Sequence, residues 1–478
     1  MTTATIHSKT PSREIAAGPP WVQRLDPAPH AVDVFRRLAA LPHVLFLDSA
    51  MRHHHLGRYS FVAADPVEWL SVPADGRDAL GSWQRRLAST QIGLDPHLPP
   101  FQGGWAGLFS YDLARGLEAI PAAACDEFQT PALAVGLYDV VVAFDHYAEA
   151  AWIVSQGLPE VEPAACRERA AMRLQQFHAI LRNSDCGLRN HIQSAIDIAP
   201  QYDLPCAPGL TSNFSPEGYR RMVRRAIDYI RAGDVFQVNL AQRLLHPAID
   251  SPIELYCRLR QHSPAPFAAY FDAGTCQIAS ASPERFLKVQ NGHVETRPIK
   301  GTRRREASAA ADRAAADALR SSAKDRSENV MIVDLLRNDL SRTCAPDNVR
   351  VTQLCGLESY ASVHHLVSAV EGNLRDECTP LDLMRTCFPG GSVTGAPKVR
   401  AMEIIAELEP TARGAYCGAL GYLSAGGHMD TSILIRTITA SHGWWQLPVG
   451  GGIVAQSDAD EEYAETWHKA ESLLRALA

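Results

Sequence analysis

Pro216-Glu-Gly-Tyr-Arg-Arg-Met-Val-Arg-Arg-Ala-Ile-Asp-Tyr-Ile-Arg-Ala-Gly-Asp-Val-Phe-Gln-Val-Asn-Leu-Ala-Gln-Arg-Leu244 changes character at Gly233. Residues 216–232 read as a helix that stops at the glycine, and 235–244 alternate as a strand. Residues 276–282 and 294–298 read as further strands. A long helix is expected over 323–341, where Val330, Val333, Leu336 and Leu340 fall at helical spacing. Upstream, Ala132-Val-Gly-Leu-Tyr-Asp-Val-Val-Val-Ala-Phe144 reads as strand, and 162–182 as helix. Strands and helices without a βαβ rhythm, joined by glycine turns, predict an α+β fold built on antiparallel sheets. Residues 1–20 are polar and small and read as a disordered tail; 21–182 form an N-terminal region; 183–212 carry Asn, Asp, Pro and Gly and read as a linker; 213–478 hold the sharpest signals.

The 478 residues carry 46 Lys and Arg against 53 Asp and Glu, a net charge of −7. That balance argues against nucleic-acid and membrane-surface partners, which are polyanionic. An apolar share of 46% excludes disorder over most of the chain. The eleven cysteines are scattered without a CxxC, so reduced thiols are expected. The N-terminus lacks the apolar core of a signal peptide, and no run is long enough to span a bilayer, which predicts a soluble cytoplasmic protein.

Four segments carry chemistry. Asp325 and Glu328 stand three apart at the start of the long helix, and spacing alone favours a capping box with Asp325 as N-cap. Near the C-terminus Glu462, Glu465 and Lys469 share one edge of a helix beside the apolar stripe Tyr463, Trp467, Ala470, Leu474 and Leu477. In isolation this edge reads as a solvated face with a Glu465–Lys469 pair worth about 0.2–0.5 kcal/mol. Together with Glu328 these carboxylates would suit Mg²⁺. The glycine turns Phe388-Pro-Gly-Gly-Ser-Val-Thr-Gly-Ala-Pro-Lys398 and Val449-Gly-Gly-Gly-Ile453 are either plain turns or places where a ligand meets backbone; neither has nucleotide-loop spacing. Arg297-Pro-Ile-Lys-Gly-Thr-Arg-Arg-Arg305 is either a basic loop or a setting in which crowding by cations lowers the pKa of a nucleophilic Lys300. Histidines 53–55 read as a surface accident.

In order along the chain, Ser282-Pro-Glu-Arg-Phe, Arg297-Pro-Ile-Lys-Gly-Thr, the helix 325–339, Val363-His-His-Leu, the turn 392–398, Gly450-Gly-Gly-Ile-Val and the helix 463–469 resemble the chorismate-utilising enzymes. The resemblance implies a sandwich of two packed antiparallel sheets flanked by helices, with strands from both halves of the chain. It further implies Glu284 as general acid for the C4 hydroxyl and Mg²⁺ held by Glu328 and Glu465 with Glu462 and Asp325 in support. Asn239, Thr302, His365, Thr394, Tyr416, Arg436, Gly450, Gly452 and Lys469 are implied around the substrate. Isochorismate synthases carry a water-activating Lys where this chain has Gln237, and anthranilate synthases carry Ala where it has Lys300. Lys300 and Asn239 resemble the branch that makes 4-amino-4-deoxychorismate for 4-aminobenzoate and folate, with Lys300 adding at C2 and ammonia entering at C4. Anthranilate formation, or a catalytically silent subunit, are the alternatives. No Gly-x-Cys-x-Gly turn is present, and the resemblance implies that ammonia comes from a glutamine amidotransferase subunit in a heterodimer. Phe46-Leu-Asp-Ser49 resembles the family's tryptophan-pocket segment, with Asp48 where Glu is usual.

Overall fold

The computed structural model describes residues 19–52, 56–90, 92–182, 196–204, 207–360, 363–424 and 426–477. Residues 1–18, histidines 53–55 and residues 183–195 of the expected linker lie outside the described residues. The helix read at 216–232 is Pro216–Ala232: Ser215 Oγ accepts from Gly218 N at 3.0 Å, and Gly233 closes the helix at φ 86°, where a side chain would be strained. The strand that follows is Gln237–Pro247, and the other expected strands and helices form as Gln277–Ser282, His293–Thr296, Pro163–Arg182 and Ala323–Ser341.

Among the described residues the strands form one sheet of thirteen and one of ten, and all pairings within them are antiparallel. Each sheet mixes strands from the two halves of the chain. Leu45–Asp48 pairs with Phe267–Asp272 in the larger sheet, and Gly104–Phe109 pairs with Ala419–Leu423 in the smaller. Alternation sorts the side chains between two cores. Ala269 and Phe271 point between the sheets with Phe61, Tyr138 and Tyr422, whereas Ala268 and Tyr270 face the outer helices with Phe35 and Tyr256.

The apolar run 132–144 divides into Leu133–Tyr138 in the smaller sheet and Val140–Asp145 in the larger. The crossing point is Asp139, fully buried, whose carboxylate accepts from Arg173 Nε and Nη2, both at 3.0 Å. A charge at the seam is tolerable because a bidentate guanidinium from helix Pro163–Arg182 meets it.

Two expectations for helix Ala323–Ser341 are corrected. Its N-cap is Ser322, whose Oγ accepts from Asp325 N at 3.3 Å, so Asp325 and Glu328 lie inside the first turns and form no capping box. Val330 is exposed; the buried stripe is Asn329, Ile332, Val333, Leu336 and Leu340. In the terminal helix Ala459–Leu474, Glu462 is buried rather than solvated, and Leu473 is the buried leucine. The nine described cysteines are free, and no described helix is long and apolar enough to cross a membrane.

A second buried ion pair ties the framework to the loop that follows Phe388. Arg413 Nη2 donates to Glu409 Oε1 at 2.6 Å and to Asn239 O at 2.8 Å, while Nη1 donates to Val393 O at 3.2 Å. Arg413→Met leaves the buried Glu409 carboxylate without its ion-pair partner, which should cost about 3–5 kcal/mol. Adding Glu409→Gln should recover much of that loss, as read from denaturant-unfolding midpoints of the single and double variants.

Candidate active site

Strand Gln237–Pro247 pairs with Trp444–Ile453 in the register Asn239 to Gly452 and Ala241 to Gly450. A Cβ at Gly450 would stand 2.2 Å from Leu240 O, so glycine is required there by the close approach of backbone, and one at Gly452 would stand 2.5 Å from Gln237 Nε2 and displace that side chain. Helix Ala459–Leu474 lies across this pair. Lys469 Nζ donates to Gly450 O at 2.8 Å and forms an ion pair with Glu465 Oε1 at 2.6 Å, as its i, i+4 spacing suggests. Glu462 Oε1 accepts from Ser457 Oγ at 2.6 Å and lies 3.7 Å from Lys324 Nζ.

The smaller sheet supplies the facing wall. Lys300 lies on Ile299–Arg304, and its Nζ donates to Ser392 O at 2.9 Å. Glu284 is buried, and its Oε1 accepts from Ser392 Oγ at 2.6 Å. Asn239 Nδ2 donates to the same Ser392 carbonyl at 3.0 Å, and Asn239 N donates to Thr394 O at 2.7 Å. Thr394 turns its hydroxyl into its own loop, donating to Gly390 O at 3.0 Å. Thr302 Oγ1 and His365 Nδ1 share a hydrogen bond of 2.8 Å across the strand pair.

Burial pushes the Glu284 carboxyl up to about 7, partly offset by the Ser392 hydroxyl and the Lys300 amine. Burial also holds Lys300 below the ordinary lysine value; Glu328 and Glu284 oppose that shift, and Lys469 adds to it. The expected direction is thus present, but with a different cause from the crowding by arginines. Arg297 is paired with Glu358, Arg304 with Glu471 at 3.1 Å and Arg305 with Asp312 at 2.8 Å, and Arg303 reaches Asp325 at 3.7 Å. Desolvation, with Arg436 adding to it, lowers His365 to about 4, which leaves it neutral at physiological pH.

Arg436 sits at φ 53°, and burial lowers its pKa. It has no acidic partner within ion-pair distance among the described residues; Tyr416 and Glu465 oppose the shift only through weaker electrostatic attraction. A desolvated, unpaired guanidinium held on a strained backbone suits a ligand carboxylate. Gln237 is fully buried, and neither its Nε2 nor its Oε1 has a partner. Ser392 contacts three of the expected residues, yet sequence reasoning did not single it out as a site residue; its signals were its place in a glycine-rich turn and at the start of the motif 392–398.

Glu328 has neither a hydrogen bond nor an ion pair among the described residues, and burial raises its pKa, as it does that of Glu462. No three acidic, histidine or cysteine groups among the described residues are gathered closely enough to hold a metal by themselves. The unpaired Glu328, with Glu462 and the Lys469-paired Glu465 on the other helix, nonetheless fits a hard cation that takes one or two protein oxygens and completes its shell with water and substrate. Asp325 stands to one side, beside Arg303 and against Gly301, where a Cβ would meet it at 3.0 Å. A separate cavity of about 790 Å³, lined by Asp48, Tyr59, Phe61, Phe267, Arg285 and Asp430 among others, opens between the sheets. Asp48 is held there by Tyr256 Oη at 3.0 Å and Arg260 Nε at 2.5 Å.

Because the folded pKa of Glu328 lies above its unfolded value, ionising it costs stability as pH rises from the unfolded value towards the folded one. Glu328→Gln should therefore raise the thermal midpoint of the metal-free chain at pH 7, and do so much less at pH 3, where the carboxyl is protonated in both states. Mg²⁺ should raise the wild-type midpoint and leave that of Glu328→Gln nearly unmoved, measured by calorimetry with and without the ion.

Residues 48–475 match the family profile described as chorismate binding enzyme. The chain is 38% identical over 459 residues to aminodeoxychorismate synthase component 1 of Escherichia coli (strain K12), covering 93% of this chain and 95% of that protein. It is 41% identical over 456 residues to anthranilate synthase component 1 of Thermus thermophilus, again covering 93% and 95%. The crystal structure of anthranilate synthase component I from Streptococcus pneumoniae TIGR4 superposes with a TM-score of 0.74 at 33% identity, covering 87% of this chain and 92% of that one. With the profile spanning both sheets and all the groups gathered around the cleft, the chain belongs to the chorismate-binding enzymes.

Proposed function

We propose that the protein is the chorismate-aminating component of an aminodeoxychorismate synthase. The observation that carries this reading is the Lys300 amine, desolvated beside the acid Glu284 and hydrogen-bonded to the loop between them. The relatives carry two names, and Lys300 favours amination without aromatisation, because an amine at that position gives the ring a protein nucleophile.

In this reading Arg436 and the cleft around Gly450 and Gly452 bind the carboxylates and enolpyruvyl group, with Lys469 anchored at Gly450 O. Glu284, whose pKa of about 7 leaves much of it protonated at neutral pH, donates a proton to the departing C4 hydroxyl. Neutral Lys300 forms a bond to C2 as that C4–O bond breaks and water leaves. Ammonia then bonds to C4 as the bond from Lys300 to C2 breaks, which restores the ring and frees the amine. Glu328 and Glu465, with Glu462 and Asp325 nearby, would hold Mg²⁺, whose contribution is to offset the substrate's negative charge and polarise the leaving group. Buried Gln237 puts an amide where a lysine would serve to activate water.

Incubation with chorismate, Mg²⁺ and ammonium should yield 4-amino-4-deoxychorismate, identified by mass after trapping. Lys300→Ala should reduce its formation by about 10²-fold or more. Fluorescent 2-aminobenzoate as the main product would instead assign the chain to the anthranilate branch.

Ammonia supply is a separate question. The purified chain should work with ammonium salts at alkaline pH and fail with glutamine, and a glutamine amidotransferase subunit should confer glutamine dependence. Glutamine-supported turnover by the chain alone, free of contaminating glutaminase, would reject the two-component reading.

A further inference from the structure

Ser392 is the point where three elements of the cleft converge. Its hydroxyl donates to Glu284 Oε1, and its carbonyl accepts from both Lys300 Nζ and Asn239 Nδ2. The residue is 6% exposed, and the loop that carries it is braced on both sides. Lys398 Nζ, at the end of the loop, donates to Asp339 Oδ2 and to Cys387 O, each at 2.7 Å. Arg413 holds the neighbouring Val393 carbonyl, and Asn239 N holds that of Thr394. A Cβ on Gly391 would lie 2.5 Å from Leu335 Cδ2, so the loop presses closely against helix Ala323–Ser341. Ser392 therefore sits in a rigid frame.

We infer that Ser392 is a positioning residue that aims the acid proton of Glu284 and the lone pair of Lys300 at one substrate. The inference rests on the amination chemistry proposed above. A carboxylic acid carries one proton, and the oxygen that accepts from a hydroxyl is the carbonyl-like one. With Oε1 occupied by Ser392, the proton of Glu284 resides on Oε2. A neutral amine has two N–H bonds and one lone pair; directing one N–H at Ser392 O turns the lone pair away from the loop. One residue thus sets the direction of both proton donor and nucleophile, and no other described residue hydrogen-bonds to both side chains. Geometry of this kind matters kinetically, since a misplacement of about 1 Å can cost about 10²-fold in rate.

The groups that face Glu284 are Lys300 on Ile299–Arg304, the backbone at Ile299, Ser392, and the Cys417 thiol, which burial pushes up to about 12 and so keeps neutral. Of these, the Ser392 hydroxyl is the strongest influence opposing burial. Its removal should raise the Glu284 pKa further and increase the freedom of Lys300.

The test compares wild type, Ser392→Ala and Ser392→Thr by two readouts. The first is kcat and KM for chorismate at fixed free ammonia across pH 6–9, with the product identified. The second is the pH dependence of acetic-anhydride labelling at Lys300, mapped by peptide mass spectrometry on the substrate-free protein. Ser392→Ala should lower kcat by about 10-fold to 10²-fold with little change in KM. It should also move the kcat/KM limb due to Glu284 to higher pH and alter the labelling rate of Lys300, while Ser392→Thr restores all three. Wild-type kcat in Ser392→Ala, or a lowered kcat with the limb and the labelling profile unmoved, overturns the inference. If the wild-type product is 2-aminobenzoate, the reading as amination at C4 fails by itself, and the limb and labelling shifts still decide the role of Ser392.

Discussion

The structure depends on the close antiparallel approach of Gln237–Pro247 to Trp444–Ile453. Ten consecutive residue pairs join them; Gly450 and Gly452 remove the side chains that would press on strand Gln237–Pro247, and Gly451 removes the one that would press on helix Ala459–Leu474. A Cβ on Gly451 would lie 3.2 Å from Glu462 Oε2, 3.5 Å from Lys469 Nζ and 3.7 Å from Glu465 Oε1. The bare ribbon at Gly451 therefore lets a carboxylate-bearing helix sit directly on a sheet. Larger residues here would separate the charged helix from the wall that carries Lys300.

Around that contact the protein accepts unfavourable electrostatics. Glu284, Glu328 and Glu462 are all pushed towards the protonated form by burial, Lys300 and His365 towards the neutral form, and Arg436 carries an unmatched charge. Such groups destabilise a fold unless a ligand completes them. By contrast, the charges that serve the framework are matched: Arg173 with Asp139, Arg413 with Glu409, and Lys398 with Asp339. Matched pairs hold the walls in place, and unmatched groups point where substrate and cation would lie. This division explains why the arginines next to Lys300 in sequence, each turned to a carboxylate of its own, have little part in setting its pKa.

The loop 388–398 connects these two populations. Lys398, paired with Asp339, fixes one end, and Arg413, paired with Glu409, holds the Val393 carbonyl, while Ser392, between them and the loop's start, meets the acid and the amine. A loop that was free to fluctuate would blur the separation between Glu284 and Lys300, and the barrier to a concerted displacement rises steeply with such misalignment.

The sequence by itself determined the local elements and the family. The helix Pro216–Ala232 with its glycine stop, the helix Ala323–Ser341 and the alternating strands rest on signals within a few residues of one another. The ordered motifs pointed to chorismate chemistry and to the positions of Lys300, Glu284 and Glu328. Only the tertiary structure decided that Ser322 rather than Asp325 caps its helix, that Glu462 is buried, and that the run 132–144 crosses between sheets at Asp139. It also decided that Ser392 joins groups 108 and 92 residues away. The physical reason is range. Capping and periodicity are read over one or two turns, whereas burial, charge pairing and the choice of sheet depend on which distant segments pack together, and no local pattern encodes that partner.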